Sequence, residues 1–332
     1  MDCCRTNRRK VIGGLAGLAA GSLGLAQKKR IKLAFCSQLL CIIPYEVARR
    51  RGYFAEGGLD VELVYARGGS QALQFLVGGA VDYAATSLDA ALQIYARGGK
   101  ILRFAATGRL PLFALATAPK AAEAIRSVKD LEGRTVGVSA LGNADHVLLI
   151  YLCKKAGVDP KRIQYATLGP NLFQALKAGQ LDAGMVQEPA LTLLKEAGGR
   201  ELVNFMDLKQ TQTALGGPYE FMGVAVRAAE REDRLDEMRR LARALEKALG
   251  FIHTAKANLI ADTLPKELIT GGNRAELEDV IERYRRSLYP SVVRIDWAAA
   301  ERVVESQQEA GLLPPGFKLE GILDLEVLGA QS

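Results

Sequence analysis

The sequence predicts an α/β fold made of two βα lobes, joined by a two-strand hinge and followed by a helical C-terminal tail. Three observations predict it. From residue 31 to about 107, short apolar runs alternate with amphipathic helical stretches. That is the pattern of a mainly parallel sheet covered on both faces. A second series of the same kind runs from 135 to 197. Two further apolar runs, 112–117 and 221–227, stand where the chain must cross between the series. At 332 residues and 49% hydrophobic, the chain is long enough for two cores.

In the first series, 31–35 reads as a strand and 42–52 as a helix stopped at Gly52. Strand 61–65 follows, and Gly68-Gly69-Ser70 opens a helix over 71–78. A short buried strand at 83–85, a helix at 88–96 and a strand at 101–107 complete the series. In the second, 135–138 is a strand and 143–156 a helix closed by Gly157 and Pro160. Strand 163–168, helix 172–178, strand 181–186 and helix 189–197, begun with Pro189, come next. Met238, Leu241, Ala242, Leu245, Leu249 and Ile252 then recur at helical spacing, and helices are expected at 256–269, 275–286 and 297–310. Lobe I is therefore assigned 27–117 plus 221–332, and lobe II 118–220.

The net charge of +7 calls for a correction before it is read as a nucleic-acid footprint. Arg5, Arg8, Arg9 and Lys10 against Asp2 put three of those charges in residues 1–26. The rest is spread thinly, with no basic stripe, so no nucleic-acid partner is expected. Residues 1–26 read as a signal peptide: a basic start, an uncharged Gly/Ala/Leu run from Val11 to Ala26, and small residues at Gly24 and Ala26. The run is short of the roughly 20 residues that span a bilayer core. Asn7-Arg8-Arg9-Lys10-Val11-Ile12 is similar to a twin-arginine signal, with Val11 where Phe is usual. A periplasmic location follows as an expectation. Beyond the leader, Cys36, Cys41 and Cys153 make an odd number with no zinc-ligand spacing, so no metal is expected. Cys36 and Cys41 read either as a disulfide or as small buried hydrophobes.

Polar residues collect at strand ends. Gln38, Ser70, Ser87, Arg109, Asn143 and Glu188 each follow a predicted strand, where ligands of open α/β sheets bind. Helix starts at Ser70, Ser87 and Asn143 offer N–H donors to an anion, although the same residue types are ordinary N-caps. Arg109 is the expected anion anchor, because a guanidinium holds a carboxylate or sulfonate by two hydrogen bonds. Glu188 either accepts from a ligand amine or bridges the lobes to a Lys or Arg. Tyr45, Phe113 and Tyr219 are candidates to stack on a heterocycle. His146 and His253 lie apart, and no nucleophile, phosphate-loop or dinucleotide motif is present, so no catalytic residue and no cofactor is expected.

Several segments, read together, carry a resemblance. They are Pro44 to Ala48, Arg51-Gly52-Tyr53-Phe54, Gly58 to Leu63, Gly68 to Ala72, Gly78 to Asp82 and Ser87 to Ala91 in the first half. Asp130 to Val138, Gly157 to Pro160, Ala175 to Ala183 and Gln187-Glu188-Pro189-Ala190 continue it. The ordered set resembles SsuA/THI5-like (NMT1/THI5) solute-binding proteins over about residues 31–330. The resemblance implies a type II periplasmic binding protein; a monomer is the expected acting form. It would deliver a sulfonate, nitrate, pyrimidine precursor or similar solute to an ABC permease and its ATPase. It also places Gln38, Ser70, Ser87, Arg109, Asn143 and Glu188 along the cleft. One branch of the family is a pyrimidine-synthesising enzyme with a pocket His in its first lobe and a cysteine-rich motif. Residues 27–117 here contain no His, and the Cys36–Cys41 segment resembles that motif only faintly. The expectation is an organic-anion binder, with an uncharged heterocycle as the alternative ligand.

Overall fold

The computed structural model describes residues 30–266 and 273–329. The leader expected over 1–26 lies outside these residues, as does the end of the helix expected over 256–269. The first series folds as β1 (Arg30–Cys36), α1 (Leu39–Arg50), α2 (Tyr53–Glu56), β2 (Asp60–Ala66), α3 (Gly69–Val77), β3 (Tyr83–Ser87), α4 (Leu88–Ala96) and β4 (Ile101–Gly108). The chain then crosses into β5 (Ala114–Thr117), β6 (Thr135–Val138), α5 (Ala144–Lys155), β7 (Gln164–Thr167), α6 (Leu172–Ala178), β8 (Ala183–Val186), α7 (Ala190–Glu196), β9 (Glu201–Asn204) and α8 (Leu208–Leu215). It returns through β10 (Met222–Arg227) and ends in α9 (Leu235–Thr254), α10 (Ala257–Ala261), α11 (Arg274–Leu288) and α12 (Trp297–Glu309).

Two five-stranded sheets result, ordered β2-β1-β3-β10-β4 and β7-β6-β8-β5-β9. β1 runs parallel to β2 and β3, whereas β10 enters antiparallel between β3 and β4. The second sheet repeats the plan: β6 is parallel to β7 and β8, and β5 is antiparallel to β8 and β9. Each sheet is thus completed by a strand delivered across the crossover from the other half of the chain. This corrects one boundary: β5, read from sequence as the end of lobe I, belongs to the second sheet. β9 and α8 have no counterpart in the sequence reading. β9 is four residues of mixed exposure at an edge, and α8 is mostly polar, so neither leaves a clear period.

The apolar alternation accounts for the core. β3, β4 and β10 are buried along almost their whole length. α9 turns Met238, Leu241, Ala242, Leu245, Leu249 and Ile252 inward, as their spacing requires. α1 contains Pro44, which has no N–H to give to the Leu40 carbonyl one turn earlier. The Tyr289 hydroxyl donates to that carbonyl at 2.7 Å instead.

A buried cation ties the crossover to the first sheet. Arg103, on β4, is fully buried and donates to Thr86 O, Phe221 O and Glu220 Oε1, each at 2.9 Å. Glu220 is buried too, and that burial raises its carboxyl pKa while Arg103 pulls it back. Gly223 on β10 is required where this guanidinium passes: a Cβ there would stand 2.2 Å from Ala105 O and 2.6 Å from Arg103 Nη2.

Candidate functional site

Between the two sheets lies a cavity of about 850 Å³, lined from both halves of the chain. The ends of β1, β2 and β3 meet it on one side, and those of β6 and β8 on the other. This follows from topology. In a parallel strand followed by a helix, the carboxyl end of the strand and the amino end of the helix share one edge of the sheet. The starts of α1, α3, α4 and α5 therefore converge on the same space, each with backbone N–H groups that its own helix cannot pair.

Five of the six residues expected at the site line this cavity: Gln38, Ser70, Ser87, Asn143 and Glu188. Their local roles differ. Gln38 is the N-cap position of α1 but makes no capping bond; its Oε1 faces the Cys41 thiol at 3.6 Å. Ser87 caps α4, accepting from Ala90 N at 3.3 Å. Asn143 Nδ2 donates to Ser139 Oγ at 3.0 Å, and Ser139 Oγ donates to buried Asp145 at 2.7 Å, so the start of α5 is held by side chains. Ser70 is exposed in the first turn of α3.

Glu188 bridges the two halves of the chain. It is buried, accepts from Thr192 N at 3.0 Å and from Tyr284 Oη at 3.1 Å, and pairs with Arg283 of α11 at 3.4 Å. Its place after a strand left two roles open, a ligand amine or a basic side chain. The bridge to an arginine is the one these contacts make.

Arg109 is a correction. It does not line the cavity. Its Nε donates to Ser287 O at 3.0 Å and its Nη2 to Arg286 O at 2.6 Å, while its backbone N–H donates to Leu288 O at 2.8 Å. These are the last carbonyls of α11, which have no intrahelical donor and carry partial negative charge. A strand-end arginine is thus taken by a helix terminus that arrives 177 residues later in the chain.

The cation that does reach the cavity is Arg67, just after β2. Among the described residues that line the cavity it is the one Lys, Arg or His. Its backbone N–H donates to Gln71 Oε1 at 2.8 Å; its guanidinium is exposed and, among the described residues, unpaired. Nothing in its sequence context separated it from other loop charges except its place before Gly68-Gly69. Beside it, Thr86 is fully buried, and its Oγ1 has no hydrogen-bond partner among the described residues. α3 begins so close to this hydroxyl that a Cβ on Gly69 would stand 2.0 Å from it.

Apolar side chains also line the cavity: Phe113, Leu172, Phe173, Met185 and Phe221. Phe113 packs edge-on against Phe221, centroids 5.9 Å apart. Of the three aromatics considered for stacking, Phe113 alone is in the lining. Tyr45 is buried against Thr107 Oγ1, and Tyr219 against Asp89 and Ser306. His146 is structural: Gly142 N donates to its Nδ1 at 3.0 Å, and burial lowers its pKa. Cys36, Cys41 and Cys153 are buried free thiols.

Comparison with known proteins agrees with this architecture. Over 143 residues, 43% of this chain and 40% of the relative, it is 26% identical to the 4-amino-5-hydroxymethyl-2-methylpyrimidine phosphate synthase of Schizosaccharomyces pombe. The match thus spans less than half of that relative's length. A solved structure from Bordetella bronchiseptica RB50 superposes with a TM-score of 0.79 at 24% identity, covering 91% of this chain and 96% of that one. The periplasmic aliphatic sulphonate binding protein SsuA from Escherichia coli superposes with a TM-score of 0.64 at 20% identity, covering 85% and 86%. The shared architecture is the periplasmic binding protein fold. A family model described as NMT1/THI5 like matches residues 41–256, about two thirds of the sequence, and the chain belongs to that family.

Proposed function

We propose that this protein is an exported solute-binding component of an ABC importer, and that it captures a small organic anion of the sulfonate or carboxylate class. The observation that carries the reading is the composition of the cavity. One guanidinium, Arg67, unpaired among the described residues, stands beside the start of α3 and the buried Thr86 hydroxyl, in a cavity that apolar side chains also line. The one carboxylate in the lining, Glu188, is already bound by Thr192, Tyr284 and Arg283. An anion therefore meets a positive, donor-rich end without a competing free charge. Gln38, Ser70, Ser87 and Asn143 are proposed as further ligand contacts. The twin-arginine-like leader over 1–26 supports export to the periplasm, with a permease and its ATPase as partners and a monomer as the acting form.

A second reading keeps the fold and replaces the anion with an uncharged heterocycle. Phe113 and Phe173 in the lining favour it, as does the likeness to a pyrimidine phosphate synthase. Thermal-shift titration of the purified chain with sulfonates, carboxylates and pyrimidines separates the two. An anion at ~100 times its Kd should add roughly 2.7 kcal/mol of stability. R67Q should weaken anion binding about 10- to 100-fold, the loss of a charge-assisted hydrogen bond. R109M should leave anion affinity unchanged and lower stability instead. Stabilisation by pyrimidines alone, indifferent to R67Q, overturns the anion reading.

A further inference from the structure

The wall of the cavity where β1 gives way to α1 carries a set of sulfur donors that solute binding does not use. Cys36 ends β1, Cys41 stands in the first turn of α1, and Met222 opens β10; all three line the cavity. Cys41 Sγ lies 3.8 Å from Met222 Sδ, across 181 residues of sequence. Cys36 Sγ and Cys41 Sγ approach the same Gln38 Oε1, at 3.9 and 3.6 Å.

We propose that Cys36, Cys41 and Met222 form a binding site for a soft, thiophilic monocation of the Cu(I) class. Donor type points to that class. Two thiols and a thioether, with no imidazole among the lining residues, suit Cu(I), whereas magnesium, calcium and manganese want oxygen. Zinc wants four ligands, usually of N and S. Among the described residues no three of His, Cys, Asp and Glu converge to begin such a set. One of the three sulfur–sulfur spacings is fixed by a contact. Three sulfurs about 2.3 Å from one ion stand roughly 4 Å apart in a trigonal plane, and the Cys41–Met222 separation is close to that. Cys41 lies in the first turn of a twelve-residue helix, at the cavity wall.

No electron transfer is involved. Two S–H bonds break, two sulfur–metal bonds form with Met222 as a neutral third donor, and two protons leave to solvent. Burial, and next the neighbouring Cys36 thiol, hold the Cys41 thiol well above its ordinary pKa, so the metal must displace protons. Affinity therefore rises with pH. The inference stands on these three side chains and not on the anion reading, although both occupants share the cavity.

The test uses the full chain carrying C3S, C4S and C153S, which leaves Cys36 and Cys41 as its thiols. Cu(I) is supplied without oxygen from a bicinchoninate buffer. One equivalent should bind, with affinity rising ~100-fold per pH unit between pH 6 and 8, for two displaced protons. M222L preserves volume and apolarity and should fold normally, while weakening Cu(I) by about 10-fold. C41S should weaken it at least ~100-fold. Absence of stoichiometric Cu(I) binding, or binding indifferent to both M222L and C41S, overturns the site. So does a mass two hydrogens lower in the chain as isolated, because a Cys36–Cys41 disulfide leaves no thiols for a metal.

Discussion

Asp89 shows how a single buried group can leave its mark on the pH dependence of the whole chain. It sits in the first turn of α4 and is almost fully buried. Its Oδ1 accepts from Tyr219 Oη at 2.7 Å and from Gln307 Nε2 at 3.0 Å, while its Oδ2 has no partner among the described residues. Burial pushes its pKa up from 3.8 to about 6, against the pull of those donors. The folded state therefore binds this proton more tightly than the unfolded state does. The stabilisation is complete below about pH 4 and is lost as pH rises through about 6. D89N keeps the Oδ1 acceptor and removes the titration. Melting curves should show the variant gaining on the parent by about 2 kcal/mol between pH 4 and pH 7. Parallel stability profiles across that window would show that Asp89 does not titrate there.

Among the elements, α3 is the one whose start is set by an unusual contact. Gly69 permits the helix to begin against Thr86, where any Cβ would collide with Oγ1 at 2.0 Å and meet Thr86 Cβ at 3.3 Å. G69A should destabilise the chain by about 1–3 kcal/mol in denaturant unfolding, the usual cost of forcing atoms into a packed site. Adding T86A removes the colliding hydroxyl and should restore most of the loss. A double variant no better than G69A alone would place the cost elsewhere, in the backbone. The same element carries Ser70 and follows Arg67, so its displacement should also weaken ligand binding. Arg109 belongs to this scale too. As a helix-terminal donor to α11 it should contribute about 1 kcal/mol, near the upper range for a charge at a helix end.

At the scale of the molecule, the two crossovers decide the architecture, and Arg103 is their buried fastening. Its pair with Glu220 is out of solvent on both sides, at 1% and 2% side-chain exposure. R103M strands a buried carboxylate and should cost about 3–5 kcal/mol, measured by urea denaturation. R103M with E220L removes both charges and should recover most of that loss, because a buried pair is often no more stable than apolar groups of its shape. A second set of contacts links the C-terminal helices to the second lobe. α11 reaches Glu188 and Asn204 through Arg283 and Tyr284, and Ser287 Oγ donates to Met206 O at 2.8 Å. The tail therefore touches both halves of the chain.

Much of this was determined by the sequence alone. Apolar period and glycine or proline stops are local properties. They placed most strands and helices, and with them the edge of each sheet where Gln38, Ser70, Ser87, Asn143 and Glu188 gather. What needed the tertiary structure was every pairing between distant segments. Arg109 and Arg67 look alike as loop arginines after a strand. One is drawn to the carbonyls of α11, and the other is left facing the cavity. The bridge from Glu188 to Arg283, the Arg103–Glu220 pair and the meeting of Cys41 with Met222 arise in the same way. Local periodicity records which face of an element is apolar, but not which charged or sulfur-bearing side chain will arrive opposite it. That is settled only when β5 and β10 cross over and complete each other's sheets.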